Sequence, residues 1–227
     1  MKFETQTHYQ RFMLGIICGL LPVVCLLFGL LGELRGINYP GWYNSISATY
    51  FSNARMCMIG ALCLCSFFLI TYQGYVDATE EKLTLIQRIR KLFTWKEFFR
   101  LTDRKLTLVS AVSALLIVAC PCAAAPMDYM GLLALPTKVS DIVHMVAAIA
   151  LFGSFALMTL TQFTKGCHKR RNTIYRICGW TMLAFMAVVG LATLFSWPGY
   201  MTMICEAGML EAFAVAWIIK SGVFPKI

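Results

Sequence analysis

Six apolar blocks divide the chain, at about 12–31, 56–75, 106–125, 139–163, 174–197 and 201–220, each bounded by charge or by aromatic, Gly and Pro residues. Each is close to the roughly 20 residues that cross about 30 Å of hydrocarbon. An open strand edge in lipid would leave backbone donors and acceptors unpaired, so the blocks predict helices. The short alternating segments of a transmembrane barrel are absent from the sequence. The pattern predicts an all-α polytopic membrane protein, one domain over 1–227, built as a bundle of six transmembrane helices. The first block is longer than a signal-peptide core and runs into Gly32, Glu33, Leu34 and Arg35, so it is expected to stay attached.

Two connections carry patterns of their own. In the second, over about 79–101, Leu85, Ile86, Ile89, Leu92, Phe93 and Phe99 recur at helical spacing against Lys82, Arg88, Arg90, Lys91, Lys96 and Arg100. This predicts a basic amphipathic helix, lying on the membrane surface or docking a cytoplasmic protein partner. In the first, over 32–55, Tyr39, Trp42, Tyr43, Tyr50 and Phe51 are interleaved with Asn38, Asn44, Ser45, Ser47 and Thr49. Such a loop is interfacial, or forms the lid of a polar cavity.

Composition agrees with a membrane setting, because 59% of residues are hydrophobic and 14% charged, where a soluble domain carries about a quarter charged. Charge then sets the expected orientation. With the amino terminus inside, 17 of the 20 Lys and Arg fall on the inner side and only Arg35, Arg55 and Lys138 on the outer. Cytoplasmic loops hold such an excess, which predicts a multi-pass protein of the cell inner (plasma) membrane with both termini cytoplasmic. The net charge of +9 is accounted for by anionic headgroups, making membrane lipids the expected partners and nucleic acid not. Most of the ten Cys lie in the apolar blocks, where Cys packs as a small hydrophobe.

Ionisable groups inside apolar helices are costly and default to functional candidates. Glu33, Arg55, Asp141, His144, Glu206 and Glu211 form an outer-half set, with Ser45 and Ser47 in the adjoining loop. Asp141 and His144, three apart, share a helix face, whereas Glu206 and Glu211 differ by about 140°. Ser45 or Ser47 with His144 and Asp141 has the residue types of an acyl-transfer triad. No metal or other cofactor is expected, although Cys120, Cys122, Met203 and Cys205 near outer helix ends are of the soft-ligand type that suits Cu(I). A structural role, in which Arg55 pairs with Glu33 or Glu206 and Asp141 orients His144, competes with each of these.

Several segments carry a resemblance: Ser45, Ile46, Ser47, Ala48, Thr49 and Tyr50 followed by Arg55 and Gly60; Tyr72 to Tyr75; Arg171 to Gly179; and Glu211, Ala212 and Phe213 through Trp217 and Lys220. Over nearly its whole length the chain resembles bacterial six-helix integral membrane proteins grouped as a domain of unknown function (DUF998-like). Its layout is also loosely similar to the Frag1 and DRAM group, whose members are linked to lipid remodelling and membrane stress. The resemblance implies topology and no agreed chemistry; the stretch from Thr79 to Leu101 looks like an insertion in that pattern.

The leading expectation is a non-catalytic protein that binds a lipid headgroup or small polar molecule in an outer-facing cavity lined by Arg55, His144, Glu206, Glu211 and Glu33, with Arg55 holding an anionic group. Two alternatives stay open: an intramembrane lipid hydrolase or transferase using Ser45 or Ser47, and an effector or accessory subunit acting through the basic helix. A transporter has less to recommend it, because Pro22 and Pro121 do not mark a pair of broken helices in matching halves.

Overall fold

A computed structural model describes residues 2–72, 103–122, 129–166 and 168–223; the expected amphipathic segment at 79–101 lies outside these residues. Among the described residues six helices follow one another: α1 (Lys2–Leu34), α2 (Arg55–Thr71), α3 (Asp103–Ala119), α4 (Thr137–Thr161), α5 (Lys169–Leu194) and α6 (Tyr200–Lys220). Each packs on its sequence neighbours, and α6 closes against α1, so the six form a ring. His8 of α1 bonds the Ser221 carbonyl just beyond α6, which places the start of α1 and the end of α6 at one end of the ring. The loop from 35 to 54 caps the other end.

Four helical stretches, His8–Leu34, Thr137–Lys165, Lys169–Leu194 and Tyr200–Lys220, are long and apolar enough to cross a membrane. The expectation of six such helices is corrected at α2 and α3. Among the described residues each has 17, which spans about 25 Å at 1.5 Å per residue, short of about 30 Å of hydrocarbon. The third block was expected to run to residue 125, but α3 stops at Ala119, two residues before Pro121, which lacks the N–H that would continue the ladder. A two-residue antiparallel pair, β1 (Tyr129–Met130) with β2 (Leu135–Pro136), follows in the connection to α4, an element the apolar pattern does not signal.

Small residues and hydroxyls make the helix seams. Gly15 and Gly19 bring α1 onto Ala214 of α6, where a Cβ at Gly15 would stand 2.7 Å from Ile218. Ser110 of α3 meets Ser154 of α4 at 2.6 Å, and Ser66 of α2 donates to the Ala111 carbonyl of α3 at 2.9 Å. Close backbones and interhelical hydrogen bonds of this kind hold helices together where lipid supplies no hydrophobic drive. Apolar side chains such as Leu27, Phe67, Ile149 and Trp180 face outward from the ring, as a lipid-facing surface requires.

Along the ring axis the half nearer the start of α1 is filled by aromatic rings. Phe155 stacks on Phe213 at 3.5 Å, Phe213 leans on Trp217, and Trp217 meets Tyr72 and Phe163 edge-on at 5.2 Å each. This packing fills the axis in that half.

Candidate functional site

The capping loop is pinned before it reaches the axis. Trp42, 4% exposed, lies against Gly29 of α1, where any Cβ would run into the indole, and its Nε1 donates to Glu33 at 2.8 Å. Asn38 ties both legs of the loop, donating to the Gly29 carbonyl at 2.6 Å and accepting from the Asn53 amide at 3.0 Å. Held at both legs, the chain dips inward at Ser45, Ile46 and Ser47 and turns into a short 3-10 helix, Ser47–Phe51.

Two side chains receive the dip. Glu206 of α6 accepts the Ile46 N–H at 2.6 Å and also the Ser47 N–H. His144 of α4 meets Ser47 Oγ through Nε2 at 2.9 Å and the Cys120 carbonyl through Nδ1 at 2.8 Å. A carbonyl only accepts, so Nδ1 carries a proton, and a neutral ring then accepts a hydrogen bond from the Ser47 hydroxyl at Nε2. Ser45 Oγ stands 3.0 Å from Ser47 Oγ and accepts the Ala48 N–H. The result is a hydrogen-bond chain from Ser45 through Ser47 and His144 to Cys120, with Ser47 and His144 only 9% and 5% exposed.

The Cys120 carbonyl is available because Pro121 ends α3 there and the last turn of a helix leaves its carbonyls without amide partners. One turn before His144, Ser140 of α4 donates to the next carbonyl, that of Pro121, at 2.9 Å. Residues 140 and 144, four apart on α4, thus satisfy two successive carbonyls at the broken end of α3.

Beneath this chain lies an axial cavity of about 30 Å³, bounded by Ser47, His144 and Glu206 above and by Leu21, Met58, Leu62, Ile117, Leu151 and Phe152 below. That is room for about one water at the polar mouth. The walls come from five of the six helices, so the cavity is a property of the ring and not of any one pair.

The expected constellation is only partly assembled. Ser45, Ser47, His144 and Glu206 converge. Arg55 is exposed, donating Nε to the Tyr50 carbonyl at 2.6 Å with its guanidinium 4.8 Å from the Tyr50 ring centre, so it pairs with neither Glu33 nor Glu206 and does not line the cavity. Glu33 is exposed and holds Trp42. Glu211 is exposed on the α1 side of α6, facing the space that Gly19 leaves open. Asp141 stands partly exposed one turn from His144, and the nitrogen it was expected to orient is held by Cys120 instead. Cys120, Met203 and Cys205 are buried and Cys122 partly so; among the described residues no three His, Cys, Asp or Glu side chains gather to hold a metal ion. Residue types alone did not point to the Cys120 carbonyl or the Ile46 amide, because both are backbone groups. Pro121 is the signal that could have found the first.

No protein-family model, curated protein or solved structure matches the chain.

Replacing Glu206 tests whether its carboxylate holds the loop. Glu206→Leu leaves two inward-facing N–H groups without an acceptor and is expected to cost about 2 kcal/mol, whereas Glu206→Gln keeps one carbonyl oxygen and should cost less than about 1. Thermal unfolding in detergent, with limited proteolysis of the 35–54 loop, reads both. Equal stability and equal protection in all three proteins would show that the loop is held otherwise.

Proposed function

We propose that this membrane protein receives the polar end of a lipid at Ser47, His144 and Glu206, with an acyl chain following into the apolar cavity below. The observation that carries this is the placement of one compact polar cluster at the mouth of an axial space whose remaining walls are aliphatic and aromatic. Ligand sites commonly join a largely apolar wall to a few convergent polar groups. At about 30 Å³ the cavity admits a chain only as its walls part, and unbranched Met58 and the leucines on the lining offer rotamers for that.

The polarity of the ligand follows from which charges are present. With Arg55 turned outward, the mouth holds a carboxylate and an imidazole and, among the described residues, no Lys or Arg. It suits a hydroxyl or ammonium headgroup that donates to Glu206 or Ser47, not the anionic group expected from the sequence.

The Ser47–His144 geometry also favours a second activity, acyl transfer. A nucleophile within hydrogen-bond reach of a base that is itself oriented by a third group is the arrangement nucleophilic catalysis needs. Ser47 Oγ would attack an ester carbonyl carbon, His144 Nε2 would take the hydroxyl proton and pass it to the departing alcohol. Lipid binding ranks first because the nearest backbone donors, Ile46 and Ser47 N–H, face Glu206 and so do not form an oxyanion hole.

In this reading all six helices cross the membrane, α2 and α3 with local thinning of the bilayer around them, and the end where α1 begins and α6 ends faces the cytoplasm, as the sequence expectation of 17 of 20 Lys and Arg on the inner side implies. Impermeant maleimide applied to intact cells should label Asn38→Cys but not Lys169→Cys in an otherwise cysteine-free protein; the reverse pattern would overturn the orientation.

For the site itself, native mass spectrometry in mild detergent should show a lipid on the wild-type protein that is lost, or held at least tenfold more weakly, in Ser47→Ala and His144→Asn. A serine-directed fluorophosphonate that labels Ser47 would move the assignment to acyl transfer. Equal lipid retention by all three proteins, without labelling, would remove both.

A further inference from the structure

The seam between α1 and α2 carries thiols on both sides. Cys18 of α1 and Cys65 of α2 stand with their sulfurs 3.6 Å apart, at 2% and 3% exposure. Both are free thiols. We propose that Cys18 and Cys65 form a redox pair, which a small hydroperoxide closes to a disulfide that ties α1 to α2.

Packing on the neighbouring residues aims the two sulfurs at each other. Gly19, next to Cys18, lies so close to α6 that a Cβ there would stand 3.2 Å from Ala214, and the helical step of about 100° per residue then turns Cys18 away from α6 and onto α2. Ser66, next to Cys65, donates to the Ala111 carbonyl of α3, which turns Cys65 back toward α1. A disulfide bond is about 2.05 Å long, so sulfurs already in contact reach it by side-chain rotation and a slight shift of the helices. Two turns nearer the capping loop, Cys25 stands within electrostatic range of Cys57 across the same seam but bonds Thr49 instead. That second pair serves as an internal comparison.

Burial selects the oxidant, because only a molecule near the size of water, such as hydrogen peroxide, reaches thiols so enclosed. One sulfur attacks a peroxide oxygen, the O–O bond breaks, and the thiol proton leaves with the departing hydroxide as water, giving a sulfenic acid. The second sulfur then attacks the first, the S–O bond breaks, and the second thiol proton leaves with that hydroxide as water. Two thiols thus give two electrons and two protons to the peroxide. The link bears on the axial cavity, since Leu21, one turn from Cys18, and Leu62, one turn from Cys65, both line it. This consequence rests on the reading that a lipid chain enters as the cavity walls part: a disulfide holds two of those walls together and keeps the chain out.

The test treats purified protein in mild detergent with hydrogen peroxide or with a phosphine reductant, then alkylates it and maps cross-linked peptides by mass spectrometry. Uptake of added diacylglycerol is followed in the same samples by native mass spectrometry. Wild type is compared with Cys18→Ala, Cys65→Ala and Cys25→Ala, each melted first to confirm that it is folded. The expected result is a Cys18–Cys65 cross-link in oxidised wild type and Cys25→Ala, absent from the other two, with uptake slowed at least about tenfold only where the cross-link forms. A cross-link in a protein that takes up no diacylglycerol even when reduced supports the redox pair and removes the lipid reading. A cross-link with equal uptake in both states overturns the control of the cavity. Oxidised wild type without a Cys18–Cys65 cross-link overturns the proposal as a whole.

Discussion

Two side chains, Glu206 and His144, accept the inward dip of the capping loop, and the arrangement of the bundle mouth follows from that contact. A polypeptide turned into the low-dielectric centre of a helix ring carries amides and hydroxyls that cost free energy unless each is paired. Glu206 accepts the Ile46 and Ser47 amides, His144 accepts from the Ser47 hydroxyl, and the ring's other nitrogen donates to the Cys120 carbonyl that Pro121 leaves over at the end of α3. Every member satisfies another, so the loss of one exposes several.

The ring then divides into two unlike halves. Toward the start of α1 it is filled by the Phe155, Phe213 and Trp217 stack, and beyond that stack lies a basic cavity lined in part by Arg11, Arg171 and Lys220. Toward the loop it keeps an apolar space with a polar rim. A continuous path through the bundle would have to breach the aromatic layer of Phe155, Phe213 and Trp217. The two cavities also differ in polarity, with a carboxylate and imidazole lining one and cations lining the other.

Much of this was legible in the sequence because the physics of lipid makes it so. An ionisable residue inside an apolar run is conspicuous, which singled out His144 and Glu206, and the 140° between Glu206 and Glu211 already required one to turn away if the other faced inward. Which one turned in, and that Arg55 folds back on Tyr50, depend on helix rotation and loop path, which neighbours decide. Asp141 failed as the orienting acid because a backbone carbonyl, invisible to residue-type patterns, occupies the His144 nitrogen. The basic cavity is not legible for another reason: along the sequence Arg11, Arg171 and Lys220 belong to the general excess of positive charge, and the closure of α6 on α1 brings them together. α2 and α3 end before their apolar blocks do, at Thr71 and Ala119, because hydropathy continues past the residues where the helices end.

The most direct test of the account is photocrosslinking in nanodiscs with a phospholipid that carries a diazirine in its acyl chain, followed by peptide mapping of the adducts. Occupancy of the axial cavity predicts adducts on wall residues such as Leu62, Ile117 and Leu151, reduced in Ser47→Ala. Adducts confined to outward-facing residues such as Leu27, Ile149 and Trp180, the same in both proteins, would contradict it.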